Sequence, residues 1–186
     1  LRLASDRREE YLYNIYSMGR DAIEKGNTSS PYAYIIPPDQ WNTGEELNLI
    51  NILRVGGIEI HRATSDLKVD GEKYPKESYV IYTGQAFRPY LYDLMEEQVY
   101  PDRRRTPGGP PDPPYDLAGW TLPMQMGINV VRAKAAFEAD VEAVQQDVVP
   151  IAGKVEGNAD FGYSISHRSN AVSYTHLRAH ETVSDL

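Results

Sequence analysis

Four histidines and no cysteine bound the reactive chemistry of this 186-residue chain. Without cysteine there are no disulfides, no thiolate metal sites and no cysteine nucleophiles. His176 and His180 stand at i, i+4, the spacing that puts two imidazoles on one helix face for a metal. Both fall in a stretch, Val172 to Thr182, that reads like a translated transposon-type sequencing adapter. Such additions do not belong in fold reasoning. Residues 172–186 are therefore expected to be non-native, and the histidine pair accidental. Two histidines then remain, His61 and His167. His61 lies on an alternating strand beside Arg62 and reads as a half-exposed structural residue. His167 has Ser164, Ser166 and Ser169 near it, but no glycine-flanked nucleophile elbow surrounds them. Asp39, Asp66, Asp70 and Asp93 form neither a calcium loop nor a carboxylate pair. Arg103-Arg104-Arg105 could hold a carboxylate or phosphate bidentately. Pairing with neighbours such as Asp102 is the plainer reading.

The balance of charge narrows the partners. With 19 basic and 27 acidic side chains the formal net charge is -8. That argues against a general nucleic-acid binder. No apolar run approaches the roughly 18 residues that a membrane span requires. A composition of 41% hydrophobic and 25% charged residues is ordinary globular material. The length suits one domain, or one domain with an extension.

Periodicity locates the elements that must position any site. Ser5 to Lys25 reads as a helix with Tyr11, Ile15, Met18 and Ala22 on one stripe, capped at Ser5 or Asp6 and ended by Gly26. Tyr32 to Ile36 reads as a strand stopped by Pro37-Pro38. Thr43-Gly44-Glu45-Glu46 has the form of a capping box. Leu47, Leu49, Ile50 and Leu53 follow as a helix face, closed by Gly56-Gly57. Ile58 to Arg62 alternates as a strand. Strand, helix and strand form a βαβ unit with parallel strands and a right-handed crossover. Leu67 to Val69, Asp70-Gly71 and a strand around 78–82 suggest an added hairpin-like piece. Pro89 opens another helix, striped by Leu91, Leu94, Met95 and Gln98 and ending near Tyr100. Residues 133–146 are expected to be helical, and Val148 to Ile151 and Phe161 to Ile165 to be strands.

The fold class expected is α/β, with a short mixed sheet flanked by helices. Residues 1–100 form an accessory domain, and 101–127 a Pro/Gly-rich connector with a Gly-Trp segment. Residues 128–171 open a second, truncated α/β unit. Its first strand, Phe161 to Asn170, lies faintly parallel in pattern to Tyr32 to Asn42. The turn after the first strand, Pro37-Pro38-Asp39-Gln40, has no glycine and lacks the N–H groups that cradle a pyrophosphate, so dinucleotide binding is excluded. No phosphate loop ending in Gly-Lys-Ser/Thr exists either.

Three stretches carry a resemblance. They are Pro31 to Gln40, then Phe87-Arg88-Pro89-Tyr90 with Tyr100-Pro101-Asp102-Arg103-Arg104, and Pro107 to Asp116 running into Gly119-Trp120-Thr121-Leu122-Pro123-Met124-Gln125-Met126-Gly127. Together they resemble the region that follows the catalytic domain in large bacterial zinc carboxypeptidase-like proteins of the carboxypeptidase A superfamily. The likeness implies a parent metallopeptidase, secreted or periplasmic, that releases C-terminal residues from peptides. Zinc in the parent's catalytic domain would polarise the scissile carbonyl and activate water. The family's His-x-x-Glu motif is missing here, since Arg62-Ala63-Thr64 follows His61 and Arg168-Ser169-Asn170 follows His167. The resemblance therefore implies a non-catalytic fragment with no zinc of its own. Its partners would be the parent catalytic domain and further C-terminal domains, with no nucleic acid and no membrane span. Arg88, Arg103, Arg104 and Trp120 are its candidate interface or ligand-facing residues. The alternative is a small-molecule-binding or scaffold α/β domain with no peptidase role. A pocket with convergent polar groups at the C-terminal ends of the strands around Ile36 and Ile60 would favour that alternative.

Overall fold

The computed structural model describes residues 2–97, 99, 101–113, 121–150, 152, 157–158 and 168. The chain is α/β. It begins with two consecutive helices, α1 (Arg2–Asp6) and α2 (Arg8–Thr28). β1 (Ala33–Ile36) and α3 (Thr43–Val55) follow. Next come β2 (His61–Ala63), β3 (Leu67–Val69), β4 (Glu72–Tyr74) and β5 (Tyr79–Tyr82). The last described elements are α4 (Arg88–Met95), α5 (Leu122–Met126), β6 (Val131–Ala133) and β7 (Val141–Ala143).

Five strands make the main sheet in the order β6-β1-β5-β2-β7, and every neighbouring pair is antiparallel. The mixed sheet expected from the βαβ pattern is corrected here, since no neighbouring strands among the described residues are parallel. β1 and β2 run in the same direction, because both are antiparallel to β5, but β5 is inserted between them. The crossover through α3 thus skips one strand position. Tyr79-Val80-Ile81-Tyr82 is apolar enough to take the central place, with Val80 and Ile81 wholly buried. In register, Ile36 faces Tyr79 across one ladder, and Arg62 faces Tyr79 across the next.

Alternation sorts the side chains into two cores. On one face Tyr34, Ile36, Ile60, Tyr79 and Ile81 pack beneath Leu49, Ile50 and Leu53 of α3 and Leu91 and Met95 of α4. On the other face Ala33, Ile35, Ala63, Val80 and Ala133 lie under Leu67 and Val69 of a separate β3–β4 hairpin. That hairpin turns on Asp70-Gly71, with φ of 50° and 93°. Positive φ at both positions is what a two-residue primed turn demands, and Asp-Gly supplies it at low steric cost. The Asp70 carboxylate also accepts hydrogen bonds from the backbone N–H groups of Lys134 and Ala135, at 2.7 and 3.1 Å.

Several local expectations are corrected. Where a helix is expected over 133–146, the chain forms the edge strand β7 and the end of β6. The alanine-rich segment has helical propensity, but pairing against β1 and β2 overrides it. Ala133 fits against Ala33 with no exposed surface. Of the segment 128–171, expected to open a second unit, 131–133 and 141–143 form the two outer strands of the sheet built by residues 33–82. The strand expected at Val148 to Ile151 is irregular over 148–150. It is fixed instead by Asn51, whose amide donates to Val148 O and accepts from Val148 N, at 2.9 and 3.0 Å. The helix opened by Pro89 stops at Met95, since Glu96 is extended. The strand expected at Phe161 to Ile165 and the tail 172–186 lie outside the described residues. Residues 101–113 run without a helix or strand, and a bridge between Arg104 and Pro111 is among the contacts that fold the segment back on itself.

Candidate functional site

The start of α3 is where local sequence and site meet. Asn42, extended at φ -119° and ψ 96°, caps the helix by accepting hydrogen bonds from Gly44 N and Glu45 N. The capping box expected from Thr43 to Glu46 is displaced by this Asx cap. Glu46 is thereby released from helix-end duty. It falls instead on the stripe Glu46, Leu49, Ile50, Leu53, at i, i+3, i+4, i+7, which is the buried face of α3. Only 5% of Glu46 is exposed.

The loop before it is held just as firmly. Gln40, also buried, donates from Nε2 to Pro37 O and Asn129 O at 2.8 and 3.0 Å. Its Oε1 accepts from Asn129 N at 2.8 Å. One amide thus ties the end of β1 to the segment between α5 and β6.

Beside this loop lies a cavity of about 630 Å³. Thr43, Glu46, Arg62, Glu77 and Tyr79 supply its polar atoms. Pro38, Leu47, Val148, Val149 and Pro150 supply an apolar wall. The cavity sits beside Ile36 and Arg62, as the row Ile36, Tyr79, Arg62 in the sheet register requires. Arg62 is engaged: it forms an ion pair with Glu77, and its guanidinium lies 5.9 Å from the centre of the Tyr79 ring. The Glu46 backbone N–H donates to Asn42 O at 3.2 Å, but its carboxylate makes no hydrogen bond or ion pair among the described residues. Burial pushes its pKa up to about 7, Arg62 opposes the rise, and Asp39 adds to it. Burial likewise raises the Tyr79 hydroxyl, with Arg62 again opposing.

The residues singled out from the sequence are dispersed. Arg88, on α4, stacks over Tyr92 at 5.2 Å, and its Nε is buried without a hydrogen-bond partner. It lines a groove of about 760 Å³ between α2 and α4, with Ile15, Met18 and Phe87. Arg103 and Arg104 lie in the connector. Arg103 is exposed, and its carbonyl accepts from Asp112 N at 2.7 Å. Arg104 grips Asp102 with Nε and Nη2, each at 3.0 Å, and donates to Gly109 O at 2.7 Å. Arg105 pairs with Asp112 at 3.1 Å. Arg104 and Arg105 are therefore committed to neighbouring aspartates. No hydrogen bond or ion pair among the described residues joins Arg88 to this cluster. Trp120 lies outside the described residues, as do His167, His176 and His180.

His61 sits on the opposite face of the sheet from Glu46. Its ring meets Tyr82 edge-on at 5.5 Å, and Tyr82 stacks on Phe137 at 5.8 Å. Its Nδ1 is buried without a partner. No group of three or more His, Asp or Glu side chains able to hold a metal occurs among the described residues. No helix among them is long and apolar enough to cross a membrane.

A second buried polar chain is structural. The Tyr34 hydroxyl donates to Glu96 at 2.7 Å, and Glu96 pairs with Arg132 at 2.8 Å, tying β1, the end of α4 and β6 together. Burial first, and then the bond to Glu96, holds the Tyr34 hydroxyl well above the usual phenol range.

Sequence reasoning missed Glu46 and Gln40. Glu46 was legible in principle, as the one charged residue on the apolar i, i+3, i+4, i+7 stripe. Gln40 gave no comparable signal, because its partner Asn129 is 89 residues away. Comparison with known proteins yields no match to a family model, a curated protein or a solved structure.

Proposed function

We propose that this chain is a non-catalytic α/β accessory module of a larger protein, and that it docks on a neighbouring domain through the apolar face of α2. The observation that carries this reading is that Tyr11, Leu12, Ile15, Tyr16 and Met18 of one helix are each 46–69% exposed. A contiguous apolar strip of that kind marks an interaction surface. The parent proposed is the zinc carboxypeptidase-like protein suggested by the proline-rich and Gly-Trp-Thr-Leu-Pro stretches. It would release C-terminal residues from peptides, with the zinc and its chemistry in a domain other than this one. The full-length gene tests the parent. Its product should carry His-x-x-Glu and a later His upstream of Leu1, and should lose the association between that region and this chain when Leu12 and Ile15 become Glu. An upstream region without those ligands removes the peptidase parent. Exopeptidase turnover by the 186-residue chain with added zinc would overturn the non-catalytic role.

A second reading is favoured by a separate observation. The cavity beside Ile36 and Arg62, with Glu46, Arg62 and Tyr79 converging on it against an apolar wall, has the make-up of a small-molecule site. The two readings are compatible, since docking and ligand binding use different faces.

A further inference from the structure

The Glu46 cavity has a charge imbalance that selects its occupant. Two carboxylates, Glu46 and Glu77, face one guanidinium, Arg62, and Asp39 adds negative potential from the loop before α3. Arg62 is spent on Glu77 and on the Tyr79 ring. Glu46 is then an acid more than nine-tenths buried, lining the cavity, with no hydrogen bond or ion pair to its carboxylate among the described residues. Arg62 acts on Glu46 only in part, and a buried carboxylate with an incomplete counter-charge is costly; it responds by keeping its proton or by acquiring a cation. A small hydrated metal ion suits the cavity poorly. The described residues offer no set of three ligating side chains, and half the lining is Pro38, Leu47 and Val148 to Pro150. An alkyl group fits that wall.

We propose that this cavity binds an organic cation, a primary ammonium group on a short aliphatic chain, with Glu46 as its counter-ion. The inference rests on the ligand-binding reading above. The ammonium takes the place of the Glu46 proton, so binding to the protonated site releases one proton to solvent and leaves an ammonium–carboxylate pair. Thr43 and Tyr79 lie within the cavity to orient the head group, and the apolar wall covers the chain. The groups that face Glu46 are Asp39 from the loop, Arg62 from β2, Glu77 from the turn before β5 and Tyr79 from β5. Among them only Arg62 competes with a cation.

Calorimetry on the whole chain with butylamine, butanol and butyrate as probes tests this. Butylamine should bind at least about tenfold more tightly than butanol at pH 8, and butyrate more weakly than either. At pH 6, titrations in buffers of different ionisation enthalpy should report release of about one proton per amine bound, and near pH 8.5 almost none. Glu46→Gln should abolish the preference for the amine over butanol while the chain stays folded. Glu77→Gln, which frees Arg62 to meet Glu46, should weaken amine binding and leave butanol unaffected. Equal binding of butylamine and butanol, or preference for butyrate, would overturn the cation assignment while leaving a ligand site. Retention of the amine preference in Glu46→Gln would also overturn it. No binding of any of the three probes would sink the ligand-binding reading itself.

Discussion

Two helices of this molecule carry apolar stripes at the same spacing and meet opposite fates. On α3, Leu49, Ile50 and Leu53 are wholly buried against the sheet. On α2, Ile15, Met18 and Tyr16 stay between 58 and 69% exposed, and only Ala22 and Gly26 are buried. The contrast lies in how each helix meets the sheet. α3 crosses between β1 and β2 and lies along the core. α2 touches only with its last turns, where Gly26 passes so close to the end of β5 that a Cβ there would meet Thr83 O at 2.1 Å. Periodicity thus reports that a face is apolar, and the topology decides whether this chain covers it.

The contrast can be broken at its strongest point first. Leu53→Ala removes a buried side chain from the α3 face and should cost about 2–5 kcal/mol in denaturant unfolding. A loss under about 1 kcal/mol would mean that α3 is no more anchored than α2. Gly26→Ala attacks the tight approach of α2 to the end of β5. It should cost about 1–3 kcal/mol through overpacking against backbone and should release amide protection in α2 before the sheet. Unchanged exchange in α2 would show that the helix is held elsewhere.

Glu46→Gln sharpens the comparison from the site side. The native carboxyl keeps its proton up to about pH 7, whereas in the unfolded chain it ionises near 4.5. Below 4.5 the substitution should therefore change little. Between those values the native protein loses stability relative to the variant, and above pH 7 the variant should be more stable by on the order of 1–3 kcal/mol. A pH-independent difference would mean that Glu46 is paired. Ile15→Ala is the smallest effect expected, within about 0.5 kcal/mol, because its side chain leaves no core when truncated.

What could be read from the sequence follows the range of the interactions involved. The Asp70-Gly71 turn, the strand before Pro37-Pro38 and the helix of Leu49, Ile50 and Leu53 are set by neighbours a few residues away, and they stand in the structure as expected; the partner of Leu67 to Val69 does not, since it is Glu72–Tyr74, and the strand around 78–82 joins the main sheet instead. β6 and β7 could not be read in that way. Their alanine-rich stretch is locally helical, and only pairing with strands about 80–100 residues distant makes it a sheet edge. The candidate site divides in the same manner. Arg104 meets Asp102 two residues away, as its sequence neighbourhood implies. Glu46 looks like part of a capping box until Asn42 takes the cap, and its cavity is completed by Arg62, Glu77 and residues 148–150 from distant segments.

Sedimentation velocity of the 186-residue chain over a wide concentration range probes the α2 surface most directly. Reversible, concentration-dependent association is predicted, and the triple substitution Leu12→Glu, Ile15→Glu and Met18→Glu should leave a monomer with unchanged circular dichroism. A wild-type chain that stays monomeric at every concentration, or association that persists unchanged in the triple variant, would contradict an adhesive α2 strip, the property on which docking to a neighbouring domain depends.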